Sequence, residues 1–184
     1  MDDRQAIQRL KEHDMSGLET LMTRYQVTAT RAAFLITHDE SLAADVVQET
    51  FLRIYERVHH FDDSLPFPPY LMRSVINAAL NAVRGRQQVR FFDDDPAELE
   101  ELLDRAASVE SQIEFAELQQ DILNALSLLS PTQRAVIVQR YYLEMSEKEM
   151  AAALGAAPGS VKWMLNAARQ RLRRLLGQEG GSHE

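Results

Sequence analysis

The chain has 184 residues, of which 45% are hydrophobic and 26% are charged, a balance typical of a soluble protein with one or two small domains. It contains no cysteine, which excludes disulfides and thiolate metal sites and favours a reducing, cytoplasmic location. No run of residues reaches the roughly 20 consecutive apolar residues that a spanning helix needs, and the charged N-terminus lacks the apolar core of a signal peptide. We therefore predict a cytoplasmic protein without membrane insertion.

The formal net charge of −8 is distributed very unevenly along the chain. Residues 1–90 carry −1, residues 91–130 carry −10 and residues 131–184 carry +3. Two segments without any acidic residue, 66–90 and 158–178, hold clusters of arginine. Solvated faces could account for such islands, but basic segments on either side of an acidic one also suit a protein that binds nucleic acid.

The first 90 residues show the apolar spacing of amphipathic helices. After a helix-patterned N-terminus, apolar residues at three- and four-residue steps predict long helices over 18–36 and 42–58. The prolines of 62–69 interrupt this pattern, and Pro69 is well placed to begin the next helix. Four helices around one core would form a domain over residues 1–90.

Residues 91–112 are acidic and weakly patterned, which predicts a linker. A second domain is predicted over 113–177, followed by a flexible tail at 178–184. Within it, residues 130–133 and 146–149 have the form of capping boxes, and Gly155 suits the turn that ends a short helix. The next helix carries an apolar stripe, and the pair predicts a helix-turn-helix. The stripe consists of Val161, Leu165, Ala168, Leu172 and Leu175.

Two motifs carry a resemblance to a known family. The segments ADVVQETFLRIYERVHHFD and LSPTQRAVIVQRYYLEMSEKEMAAALGAAPGSVKWMLNAARQRL resemble bacterial RNA-polymerase sigma factors of the extracytoplasmic-function group, in the sigma-70 family. The likeness runs from about Leu18 to Leu176, in the family's order and with its usual length. It implies an all-α protein with two small helical domains, which binds core RNA polymerase through the clamp helices and the flap. It also implies duplex recognition of a −35 element, single-stranded recognition of a −10 element, and control by an anti-sigma factor in some members.

The resemblance assigns polymerase docking to the second long helix. An acidic, polar stripe on one side of that helix suits a basic partner, although periodicity alone would also fit a solvated face. The stripe consists of Asp45, Gln48, Glu49 and Leu52.

The loop and helix after the docking helix resemble the part of the family that holds unpaired bases of the −10 element. Capturing single strands requires aromatic pockets, donors to base edges and cations for phosphates. Asn77 could equally be a satisfied buried amide, and Tyr70 and Pro68-Pro69 depart from the family's usual Trp and its Arg followed by a small residue. The candidates are Phe67, Tyr70, Arg73, Asn77, Arg84 and Arg86.

The last helix resembles the one that the family places in the −35 major groove. Trp163 stands where the family has a small polar residue, and could contact DNA or pack against the preceding domain. Met164 and Ala167 replace basic residues that are common in the family, so we expect an altered −35 preference. The candidates are Arg134, Lys148, Ser160, Lys162, Trp163, Asn166, Ala167 and Arg169.

No catalytic constellation is evident, so the chain is not predicted to be an enzyme and no cofactor or metal is expected. His59-His60 and Asp62-Asp63 are adjacent pairs, which point apart on a helix and make a shared metal improbable. Two alternatives remain at this point. One is a helix-turn-helix regulator that binds DNA without polymerase, and the other is a sigma-like mimic that sequesters an anti-sigma factor.

Overall fold

The computed structural model describes residues 1–84 and 112–179, and within them the chain forms helices joined by short turns. The all-α fold class is thereby confirmed. The described residues fall into two compact units, one from residues 1–84 and one from the residues after 111, with the short stretch Ala152–Gly155 grouped with the first. The linker predicted at 91–112 lies almost wholly outside the described residues, and most of the predicted tail does too.

The first unit is a bundle of helices connected by tight turns. A single 3-10 turn, Val58–His60, extends the third helix. The helices are α1 (Asp3–Lys11), α2 (Ser16–Thr37), α3 (Glu40–Arg57) and α4 (Phe67–Arg84).

Side chains next to the helix ends fix where these helices begin. The Asp2 carboxylate accepts from the Gln5 backbone N–H at 2.8 Å, and the Gln5 side chain accepts from the Asp2 N–H, forming a capping box. Asp39 caps α3 by accepting from the Leu42 N–H at 2.8 Å. Helix α2 ends at Thr37 and is capped by His38, which adopts the left-handed conformation with φ 57°. Thus α2 and α3 are separated by only two residues.

The apolar stripes predicted from the sequence form the core of this unit. Leu21 and Ile36 on α2, Phe51 on α3 and Val75 on α4 are all at most 2% exposed. Alanines on α2 allow its neighbours to approach closely. At Gly17 of α2, an added Cβ would lie 2.1 Å from the Ala6 carbonyl oxygen of α1, so the two helices are in close contact there.

The start of α4 differs from the prediction. Proline was expected to interrupt the helix until Pro69, but α4 begins at Phe67, so that Pro68 and Pro69 occupy its first turn. The first backbone N–H groups of a helix have no intrahelical acceptor, so prolines in this turn remove no hydrogen bond. The segment with Asp62, Asp63 and Pro66 is consequently a short, tight loop.

The residues after 111 form four further α-helices and one π-helical turn. Ser130 and Ser146 form the predicted capping boxes: Gln133 N–H donates to Ser130 Oγ at 3.2 Å, and Glu149 N–H to Ser146 Oγ at 3.3 Å. Gly155 takes the left-handed conformation with φ 63°, as expected of the turn. The elements are α5 (Gln112–Ser127), α6 (Pro131–Ile137), the π turn (Val138–Tyr142), α7 (Glu147–Leu154) and α8 (Pro158–Glu179).

The π turn is a feature that the sequence did not reveal. The Leu143 N–H reaches back five residues to the Val138 carbonyl at 3.0 Å, and the Met145 N–H donates to the Gln139 carbonyl at 2.9 Å. Gln139 becomes fully buried, and its side-chain amide finds no hydrogen-bond partner among the residues that the structure describes. The predicted stripe on α8 is confirmed, because all five of its residues are buried.

Candidate nucleic-acid and polymerase interfaces

Helix α3 presents one buried face and one exposed face. Val46, Val47, Phe51 and Ile54 are at most 5% exposed and pack into the core. The four side chains predicted to dock polymerase all lie on the exposed side. That face combines an acidic and polar surface with one uncovered apolar side chain, Leu52, which is 52% exposed.

An ion pair crosses the exposed face of α3. Arg53 Nη2 lies 2.8 Å from Glu49 Oε1, and both side chains are more than half exposed. An exposed pair at this spacing contributes only about 0.3–0.5 kcal/mol to stability, so Glu49 can exchange Arg53 for another cation at small cost. The face can therefore accept a basic partner without disturbing the core.

Four aromatic rings meet near the point where the loop joins α4. Phe61 lies 4.9 Å from Tyr70 and 6.0 Å from Phe67 between ring centroids, and Tyr25 of α2 lies 5.8 Å from Phe67. Phe67 was predicted to contact bases, but it is 3% exposed. The structure places it in the core, where it supports Tyr70 and is not available to stack on DNA. Tyr70 itself is half-buried.

A cavity of about 230 Å³ lies between α3 and α4. Tyr70 and Asn77, both predicted from the sequence, line it together with Ser74 and Asn81 from the same helix. Its other wall comes from α3 and includes Arg53 and Arg57. The cavity thus combines one aromatic ring, two amides and two guanidinium groups. The remaining lining residues are Thr50, Ile54 and Ala78.

The sequence reasoning missed the wall contributed by α3. Arg53 and Arg57 are four residues apart, so they follow one side of the helix, but nothing local indicates that this side faces α4. The other predicted −10 cations, Arg73 and Arg84, are exposed on α4. Arg86 lies outside the described residues.

The first half of α8 exposes most of the predicted −35 residues. Ser160, Lys162 and Trp163 are exposed, while Asn166 and Ala167 are half-buried. Trp163 is 62% exposed, the largest exposure among the large hydrophobic side chains that the structure describes. This surface lies opposite the buried stripe of α8, so it is free to enter a groove. Lys148, at the start of α7, is also exposed.

Two predicted DNA-contacting arginines are held by intramolecular bonds. Arg134 is 5% exposed, its Nη1 donates to the Ser127 carbonyl at 3.2 Å, and its burial lowers the pKa of the guanidinium. The prediction of a phosphate contact by Arg134 conflicts with this burial. Arg169 Nε donates to the Tyr141 hydroxyl at 2.7 Å, and its guanidinium carbon lies 5.6 Å from the centroid of that ring. Contacts between helices, which periodicity does not reveal, determine both arrangements.

Within residues 1–84 and 112–179, no group of three or more His, Asp or Glu side chains is placed to hold a metal ion. Over the same residues, no helix has the length and apolar character needed to cross a membrane.

Comparison with known proteins identifies both units. Residues 21–89 match Sigma-70 region 2, and residues 119–172 match Sigma-70, region 4. The chain is 34% identical over 146 residues to the RNA polymerase sigma-E factor of Streptomyces avermitilis, covering 79% of this chain and 77% of that protein. It is 30% identical over 180 residues to RNA polymerase sigma factor NccH of Alcaligenes xylosoxydans xylosoxydans, covering 95% of this chain and 94% of that protein.

Solved structures agree with this assignment. The structure of CnrH in complex with the cytosolic domain of CnrY superposes with a TM-score of 0.67 at 25% identity, over 96% of this chain and 98% of that one. The sigma factor RpoE of Bartonella quintana, solved with the anti-sigma factor NepR, has the same fold, with a TM-score of 0.61 at 21% identity over 86% of this chain and 98% of that one.

Two helical units that match Sigma-70 region 2 and Sigma-70, region 4 define a transcription initiation factor. The chain belongs to the sigma-70 family of RNA-polymerase sigma factors, in its extracytoplasmic-function group. It therefore binds core RNA polymerase and directs promoter-specific transcription initiation.

Proposed function

We propose that the exposed face of α3 binds the clamp helices of core polymerase through Asp45, Gln48, Glu49 and Leu52. Gln48 and Glu49 lie three and four residues after Asp45, and Leu52 lies four and three residues after them, so all four share one side of the helix, exposed opposite a packed face. Acidic residues around an uncovered leucine complement a basic helix with an apolar contact at its centre.

The docking face can be tested with two variants and one control. Asp45→Arg reverses a charge and should weaken binding to core polymerase roughly tenfold, which corresponds to about 1.4 kcal/mol. Gln48→Ala should weaken it less. The same reversal at Asp121, an exposed residue of α5, serves as the control. Equal losses for Asp45→Arg and Asp121→Arg would exclude a specific docking face.

For the −10 element, we propose that Tyr70 and Asn77 hold an unpaired base of the non-template strand at the cavity between α3 and α4. The observation that carries this proposal is the lining itself, because an aromatic ring, amides and guanidinium groups are the groups that recognise single-stranded bases and phosphates. Stacking on such a ring contributes about 1–3 kcal/mol per base. Phe67 holds Tyr70 in place, while Arg53, Arg57 and Arg73 lie near the path of the strand.

Arg84 and Arg86 remain predicted phosphate contacts near the end of the first domain. The division into domains at 1–90, 91–112 and 113–177 also remains a proposal. In it, the acidic segment is the one that the family resemblance would thread through the RNA-exit path of the polymerase, with a solvated tether as the alternative.

For the −35 element, we propose that α8 enters the major groove with Lys162 and Asn166 directed to base edges. They lie one turn apart on its exposed side. Trp163 would contact a thymine methyl or the sugar-phosphate backbone. Ser160, Ala167 and Lys148 border this surface, and Arg169 would reach phosphate only by leaving Tyr141.

Transcription reconstituted with purified core polymerase tests these proposals together. Runoff products from genomic DNA would identify promoters, and Asn77→Ala and Lys162→Ala should then impair use of the −10 and −35 elements respectively. If the wild-type protein bound core polymerase but produced no dependent start site, promoter recognition by these surfaces would be refuted.

We further propose that the protein is non-catalytic, acts in the cytoplasm and contacts the polymerase flap through its second unit. Likeness to CnrH, solved with the cytosolic domain of CnrY, and to RpoE, solved with the anti-sigma factor NepR, supports control of this chain by an anti-sigma protein. Copurification of a bound regulator that blocks core binding would test that control.

A further inference from the structure

The ammonium group of Lys11, the last residue of α1, bonds to the loop between α3 and α4. Lys11 Nζ donates to Asp63 Oδ1 at 2.8 Å and to the Phe61 carbonyl oxygen at 3.0 Å. The Lys11 side chain is only 18% exposed, so solvent screens this ion pair less than it screens a pair on an open surface. One ammonium group therefore fixes two points at the start of the loop.

The N-terminal end of α1 contacts the aromatic rings at the start of α4 through Asp3 and Tyr25. The Asp3 carboxylate accepts from the Tyr25 hydroxyl and pairs with Arg24. The Tyr25 ring in turn packs against Phe67, 5.8 Å away between centroids. Helix α1 thus contacts both sides of the cluster that supports Tyr70.

Helix α1 is itself held in place by packing against the rest of the first unit. Ala6 and Leu10 are fully buried, and the approach of α1 to Gly17 leaves no room for a Cβ. Yet α1, at Asp3–Lys11, precedes the residues 21–89 that match Sigma-70 region 2. The region 2 match therefore assigns this helix no role.

The loop that Lys11 holds is already ordered by its own bonds. Asp62 Oδ1 accepts from the Ser64 N–H at 2.9 Å, and the Asp62 carbonyl accepts from the Leu65 N–H at 3.0 Å. The bonds from Ser64 hold the pKa of the Asp62 carboxyl below its usual range. Leu65 lies at the tip and is 57% exposed. The turn is thus a rigid unit, and its orientation depends on where its base is anchored.

We propose that Lys11 is a positioning residue for −10 recognition: its bonds to Phe61 and Asp63 orient the loop and the adjoining Tyr70 toward the unpaired non-template bases. This inference rests on the proposed −10 role of Tyr70 and Asn77. The Phe61 ring, which adjoins Tyr70 at 4.9 Å, is the physical connection between the anchored backbone and that site. Removal of the ammonium should leave the fold intact and alter base selectivity.

Lys11→Met tests the proposal because it keeps the aliphatic stem and removes the charge. Arg9→Met is the matched control on the same helix, since Arg9 contacts Ser16 at 3.2 Å and Asp14 at 3.7 Å in the turn between α1 and α2. Amide hydrogen exchange on the full chain should show severalfold faster exchange at Phe61, whose N–H donates to the Val58 carbonyl at the anchored base of the loop, for Lys11→Met. It should show wild-type exchange there for Arg9→Met.

The functional measurement uses holoenzyme on a promoter mapped by runoff transcription, together with templates that carry single-base changes in its −10 element. Lys11→Met should reduce the ratio of transcript from the native template to that from at least one changed template by threefold or more. Affinity for core polymerase should not change, and Lys11→Arg should restore much of the ratio. Simple destabilisation would lower transcription from all templates alike and leave the ratio unchanged.

The outcomes separate this inference from the proposed function. A wild-type ratio for Lys11→Met, on a promoter where Asn77→Ala alters the ratio, would overturn the positioning role alone. An equal change in the ratio for Arg9→Met would also overturn the positioning role, because loss of any cation from α1 would then have the same effect. A wild-type ratio for Asn77→Ala would overturn the proposed −10 site instead, and absence of any dependent transcript would refute both.

Discussion

The two sides of α8 lead to opposite predictions for residues only two positions apart. Leu165 is 4% exposed and lies in the buried stripe, whereas Trp163 is 62% exposed. Truncation of a buried leucine to alanine costs about 2–5 kcal/mol, through lost transfer free energy and the cavity left behind. Truncation of an exposed side chain usually changes stability by no more than about 0.5 kcal/mol. Leu165→Ala should therefore destabilise the fold several times more than Trp163→Ala.

We expect the opposite order for −35 selectivity when it is measured on folded protein: Trp163→Ala should change it more than Leu165→Ala. Urea titration monitored by far-UV circular dichroism would give both stabilities. Transcription under conditions where each variant is folded, on promoters with intact and altered −35 elements, would give the selectivity. Trp163→Ala should reduce −35 discrimination, and Leu165→Ala should retain it.

One result would refute this reasoning about α8. If Trp163→Ala lowered the free energy of unfolding by 2 kcal/mol or more and left −35 discrimination unchanged, Trp163 would be a packing residue. The altered −35 preference expected from its position would then have no basis.

Three further predictions follow from local geometry. Lys162→Ala and Asn166→Ala should each weaken −35 use by about 1–3 kcal/mol, roughly 5- to 150-fold, in competition transcription. Hydrogen bonds from the Ser146 hydroxyl and backbone N–H lower the pKa of Glu149. The stability that these bonds contribute is present above the unfolded-state pKa of the carboxyl and is lost as pH falls through its folded-state pKa. Glu149→Gln should therefore make the free energy of unfolding less dependent on pH in that acidic window. Gly155→Ala should cost about 1 kcal/mol because φ is +63°, whereas Gly159→Ala, in open space within α8, should be neutral or stabilising in urea titrations.

Much of this fold could be predicted from the sequence because its determinants are local. The capping boxes at Ser130 and Ser146 join residues three positions apart, and the left-handed turn at Gly155 depends on a single φ angle. The stripe of α8 follows from helical periodicity alone, as does the division of α3 into an apolar and an acidic face. Such patterns identify which side of a helix is buried, though not what covers it.

The candidate sites were only partly predictable, because contacts between helices decide which polar and aromatic side chains remain available. Phe67 and Arg134 have residue types suited to nucleic acid, yet the structure buries both. Arg53 and Arg57 line the cavity between α3 and α4 only because α3 packs against α4.

The sequence by itself determined the helices, their caps, the buried stripes and the family, since each depends on residues within a few positions of one another or on motif order. Tertiary structure alone decided how α1 meets the rest of the first unit. Lys11 and Asp63 are 52 positions apart, and nothing in their local sequence pairs them. Packing of the apolar face of α1 against the bundle, with its close contact at Gly17, brings the Lys11 ammonium to 2.8 Å from that carboxylate, because burial of Ala6 and Leu10 fixes where α1 lies.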